Sequence, residues 1–150
     1  MKKNIKEKTL LIDDEYGKFE LENGILIGTW KKSFIDLTTA EKTVNGRLKV
    51  AAGQKYPFLV KIKSIRESTK EARVYLASEK ACLGILAGAI CVDSALENMV
   101  ATVFLYMSKP VVPTKIFTDE TKAKEWLAQF VVNDSKEIPV KKINAFFYGL

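Results

Sequence analysis

Between Lys18 and Trp30 the chain reads KFELENGILIGTW, an alternation of period two that breaks at Asn-Gly. Asn23-Gly24 is the favoured two-residue loop of a type I′ hairpin, and it sets Leu21 opposite Leu26 and Phe19 opposite Gly28. Phe19, Leu21, Leu26 and Trp30 then share one sheet face, while Glu20 and Glu22 fall on the other with Ile25 and Ile27. A second face that is only partly apolar predicts a place near a sheet edge.

Beyond the hairpin the period switches between helical and extended. Thr38 with Glu41 forms a capping box ahead of a stripe of Val44, Leu48 and Ala51. PFLVKI, residues 57 to 62, reads as a short strand. Ser68 with Glu71 makes a second box, opening a helix through Ala72, Tyr75 and Leu76. ILAGAICV, 85 to 92, is apolar throughout, as in a parallel strand covered on both sides. A third box, Ser94 with Glu97, starts a helix that reaches about Ser108.

The last joint is VVPTKIFTDETKAKEWLAQF, residues 111 to 130. Ile116 and Phe117 come after Pro113, which suits a strand start, and Thr118 can cap the next helix. Asp119 and Glu120 then meet the positive end of the helix dipole. Ala123, Trp126, Leu127, Phe130 and Val131 recur at intervals of three and four and form one stripe. The order is β-β-α-β-α-β-α-β-α. It predicts an α/β fold with a mixed sheet: an N-terminal antiparallel hairpin, parallel strands after it, and helices packed on the sheet.

The runs YPFLVKIKSIRESTKEARVYLASE, GAICVDSALENM and KPVVPTKIFTDETKAKEWL, in that order, resemble the SpoIIAA-like (STAS-type) domains of bacteria. More narrowly, they resemble a small, uncharacterised family of stand-alone proteins common in Bacteroidetes-type bacteria. The resemblance covers roughly residues 14 to 130, and implies a SpoIIAA-like domain over 1–132 with a C-terminal extension over 133–150. It further implies a non-enzymatic regulatory or protein-interaction role. Because such domains are similar in architecture to lipid-binding folds, the alternative is a carrier of a small apolar or lipid-like ligand. In STAS-type regulators the strand-to-helix junction carries a serine that a kinase phosphorylates. The nearest equivalents here are Ser68 and Thr69, beside Arg66, Lys70 and Arg73, and a helix start among cations also suits an anion. One departure is Lys61, where such domains often carry an aspartate, so no role of that acid carries over.

Composition narrows the chemistry. Hydrophobic residues at 47% and charged ones at 28% are ordinary for one globular domain of 150 residues. A net charge of +6 raises nucleic acid as a partner, but of 24 basic residues only Arg47, Arg66 and Arg73 are arginine, and the lysines are scattered. No nucleic-acid partner is expected. Histidine is absent, and neither G-x-S-x-G, S-x-x-K nor a phosphate-binding glycine loop occurs. Cys82 and Cys91 have no C-x-x-C spacing and read as buried thiols. No catalytic site, metal or cofactor is therefore expected. No apolar run approaches the roughly 18 residues of a membrane span, and Asp13-Asp14 interrupts the basic N-terminus before a secretory segment develops. A cytoplasmic protein is expected.

One stretch lacks the polar stripe of a surface helix. NMVATVFLYMS, 98 to 108, has no charge at all. Leu96, Val100, Val103 and Met107 are expected to face the sheet, leaving Leu105 and Tyr106 on another side. Their expected cover is the tail INAFFYGL, through Phe146 and Phe147, or a second subunit in a homodimer.

Overall fold

The computed structural model describes residues 8–132. β1 (Lys8–Asp13), β2 (Gly17–Glu22) and β3 (Ile25–Trp30) form an antiparallel meander, and the short β4 (Phe34–Ile35) leads into α1 (Leu37–Ala51). Next along the chain are β5 (Tyr56–Lys61), the short β6 (Glu67–Ser68), α2 (Lys70–Ala77) and β7 (Ile85–Cys91). α3 (Ala95–Val103) continues into a π-helical turn, Phe104–Ser108, before β8 (Thr114–Phe117) and α4 (Glu120–Ala128). Six strands form one sheet in the order β1-β2-β3-β5-β7-β8, parallel from β3 onwards, and β4 pairs with β6 as a separate ribbon.

The turn chemistry of the hairpin acts as expected. Asn23 and Gly24 take φ of 50° and 78°, and Leu21 pairs with Leu26 and Phe19 with Gly28. Gly28 is bare for a reason: a Cβ there would stand 2.7 Å from the Phe58 ring. The Phe19 and Phe58 rings instead meet over it, with centroids 6.3 Å apart.

Handedness divides the helices between two layers. β3, β5, β7 and β8 are added in one direction across the sheet, so right-handed crossovers put α1, α2 and α3 on the same face. There Trp30, Ile62, Ile90 and Val92 meet Ala40, Ala72 and Ala101. α4 comes after the last strand, crosses nothing and covers the opposite face. Ala123, Trp126, Leu127 and Phe130 pack on Ile25, Ile27, Leu59, Ala87 and Ala89. Trp126 stacks edge-on to Phe130 at 5.0 Å, which fulfils the expected stripe.

Several expectations need correction. The expected order lacks a strand: β1 pairs outside β2, so the hairpin lies near the sheet edge as expected, but one strand in from it. Glu22, buried on the partly apolar face, is satisfied by Lys124 at 2.7 Å. Three helix caps also differ by one or two residues. Asp36, not Thr38, caps α1 by accepting from the Thr39 amide at 2.8 Å. Thr69, not Ser68, caps α2, because Ser68 is held in the ribbon opposite Ile35 and the chain leaves the extended state only after it. Asp119, not Thr118, caps α4, accepting from the Thr121 and Lys122 amides. At α3 the expected box forms: Ser94 Oγ accepts from the Glu97 amide and donates to the Glu97 carboxylate.

Candidate functional site

The residues singled out at the start of α2 do not converge. Arg66 is exposed and donates to the Lys63 carbonyl at 3.2 Å, and Lys70 is exposed on the first turn. The Thr69 hydroxyl accepts from the Ala72 amide at 3.1 Å and is occupied as a cap. Only Arg73 and Ser68 are brought together: Arg73 Nη1 donates to the Ser68 carbonyl at 2.6 Å and to its hydroxyl at 3.1 Å. Lys61 ties the end of β5 to the start of α4 by an ion pair with Glu120 at 2.5 Å. That hydrogen bond holds the Glu120 carboxyl below its ordinary range.

The uncharged helix presents a different face from the expected one. Ala101 is buried and Val100 and Phe104 pack toward the sheet with it. Leu96, Val103 and Met107 point outward instead. The physical reason is that an element with no charge from Asn98 to Ser108 has only weak polar markers to fix its rotation, and the π-helical turn shifts the register of the side chains from Phe104 onwards. Leu105 is half-buried and Tyr106 is 68% exposed. The outer stripe is Leu96, Met99, Val103, Tyr106 and Met107, at 37, 59, 37, 68 and 78% exposure. The proposed cover through Phe146 and Phe147 lies outside the described residues.

Inside the same layer, between the sheet and α1 to α3, lies a cavity of about 150 Å³. Val60, Ile90, Leu76, Phe104 and Ala101 are among its lining residues. The polar side chains at its wall are mostly spent on the backbone. Thr43 donates to the Thr39 carbonyl, Thr114 to that of Val112, and the Cys82 thiol to that of Leu76. Arg47, 3% exposed, also lines it, with Nη1 on the Leu83 carbonyl at 3.0 Å and Nη2 on the Ala81 carbonyl at 2.5 Å. Desolvation pushes its pKa down. The one signal for this residue in the sequence is that Ala40, Val44, Arg47 and Ala51 recur at the spacing of a buried stripe.

Neither cysteine is poised to react. Burial raises the Cys82 thiol pKa, and burial, with Glu120 nearby, raises that of Cys91 to about 11. Among the described residues, no group of three or more acidic, cysteine or histidine side chains could hold a metal ion. No described helix is long and apolar enough to cross a membrane.

A mixed sheet that opens with an antiparallel meander, continues in parallel and carries a closing helix on its far face defines a SpoIIAA-like α/β domain. The crystal structure of a protein from the DUF3478 family with a SpoIIAA-like fold, from Shewanella loihica PV-4, superposes with a TM-score of 0.53 at 16% identity. The match covers 85% of this chain and 98% of that one. Within that fold the chain belongs to the family described as a domain of unknown function, DUF7793, whose model matches residues 19–131. No curated protein matches it.

Proposed function

We propose that this chain is a protein-interaction domain with no catalytic step of its own, and that its interaction is self-association through the outer stripe of α3 and the π-helical turn. One observation carries the reading: five apolar side chains lie exposed along an element with no charge between Asn98 and Ser108. Contiguous exposed apolar surface of this kind is a mark of an interface. A second copy suits it because a two-fold contact sets a patch against itself. In a chain of net charge +6, a charged patch would oppose that approach, whereas this one brings no like charges together. The likeness to regulators of the STAS type supports the same reading. Within it, Ser68 is the hydroxyl at which a phosphoryl group would meet the Arg73 guanidinium. Phosphopeptide mapping of protein from its own host tests that addition separately.

Sedimentation velocity on the full chain tests the interface. The wild type should sediment as a dimer at micromolar concentration, and Met99→Lys with Met107→Lys as a monomer that still unfolds cooperatively, with Tm lowered by no more than the loss of association accounts for. A wild type that stays monomeric at every concentration overturns the reading. So does a Phe146→Ser, Phe147→Ser variant that dimerises where the wild type does not, since the tail would then be what covers the stripe.

A further inference from the structure

Arg47 is a full positive charge in an almost fully buried position, and its surroundings do not neutralise it. Its two bonded acceptors are carbonyls, which carry partial charge only. Among the described residues, no carboxylate lies within ion-pair distance of it. The Phe58 ring, 5.8 Å from the guanidinium carbon, adds a further weak attraction. Burying a cation without a counter-charge is among the costlier things a fold can do, and arginine does not escape by losing its proton. This cation borders a cavity of about 150 Å³ whose remaining wall is mainly apolar, with Thr43, Cys82 and Thr114 already donating to backbone carbonyls. A space of that size accommodates about one benzene-sized group.

We infer that the cavity between the sheet and α1 to α3 binds a small monocarboxylate with a ring-sized or short-chain apolar body, its carboxylate turned to Arg47. The apolar part packs along Val60, Ile90 and Phe104, and the carboxylate supplies a negative counter-charge for Arg47. Arg73 lines the same cavity but is half-exposed and directed at Ser68, so it can discharge its charge to solvent without a ligand. The site is separate from the outer stripe of α3, and either proposal can fail alone.

The test uses hexanoate and benzoate as probes, with hexanol and benzyl alcohol as neutral counterparts of similar shape. Calorimetry on the full chain should show each acid binding at least about tenfold more tightly than its alcohol. Arg47→Met, which keeps the apolar stem, should bring that ratio close to one, and Ala101→Leu, which fills the cavity, should weaken acid and alcohol alike. Should Arg47→Met fail to fold, the wild type still decides the matter. The chain has three arginines, so their Nε–H signals can be assigned by exclusion with Arg66→Lys and Arg73→Lys. Addition of hexanoate should shift the Arg47 signal. No binding by either acid, equal binding of acid and alcohol, or a shift confined to Arg66 or Arg73 would overturn the assignment.

Discussion

The two faces of the sheet are covered by different means. On one, a single helix lays Trp126, Leu127 and Phe130 into a bed of Ile25, Ile27, Leu59, Ala87 and Ala89. Its rim is tied by Lys61, Glu120, Lys124 and Glu22, linked in a chain of ion pairs. On the other, three helices meet the sheet through the small residues Ala40, Ala72 and Ala101, and they leave a cavity and a guanidinium bonded only to carbonyls, with no carboxylate partner among the described residues. Large rings fill a face at close quarters, whereas alanines let three helices approach without filling the space between them. The first arrangement fills its face, and the second leaves part of its face unfilled.

Substitutions can break that contrast or sharpen it. Trp126→Ala should cost about 3 to 5 kcal/mol in chemical unfolding. Phe104→Ala, half-buried beside the cavity, should cost only about 1 to 2 kcal/mol; equal losses would erase the difference between the faces. Enlarging an alanine should separate them in the opposite sense. Ala123→Leu forces atoms into a filled layer and should cost about 1 to 3 kcal/mol, whereas Ala101→Leu grows into open volume and should be near neutral in the same melts. The caps come next. Thr69→Ala and Asp119→Ala, one on each face, should each lose about 1 kcal/mol, and Ser68→Ala clearly less than Thr69→Ala because its hydroxyl caps nothing.

The smallest effect is a pH slope belonging to the α4 face. The folded-state pKa of Glu120 lies below its ordinary 4.5, so its contribution is present above that value and is lost as pH falls through the folded pKa. Acid denaturation of Lys61→Met should therefore be flatter below about pH 4.5 than that of the wild type. An unchanged slope would place the acid sensitivity outside the Lys61–Glu120 pair.

Legibility in the sequence tracked the strength of the pattern. The hairpin and the Trp126 stripe could be read because turn chemistry and periodicity agree there with burial. β1 was missed because KTLLID runs along the outer edge with Leu10 and Leu11 exposed, and shows no inside-outside alternation. Caps slipped where two candidates sit close together, as at Asp36 and Thr38 or Ser68 and Thr69, and only the ribbon of β4 with β6 decides between the latter pair. Arg47 passed unnoticed because charge normally argues for solvent, although its position in the Ala40, Val44, Ala51 series argued for burial. A cavity has no sequence signature at all, being the volume that the surrounding side chains do not fill.

The strand order carries a consequence for synthesis. After the β1-β2-β3 meander, β5, β7 and β8 each lie at the edge left by the strand before, so synthesis supplies the strands in the order in which the sheet extends. Each new strand arrives with a crossover helix for the same face, while the opposite face waits for α4. A nascent chain halted before Glu120 has Ile25, Ile27, Leu59, Ala87 and Ala89 in place with nothing from α4 to seal them. That is the window in which the chain is most apt to aggregate, and a chaperone that recognises apolar sheet surface would bind within it.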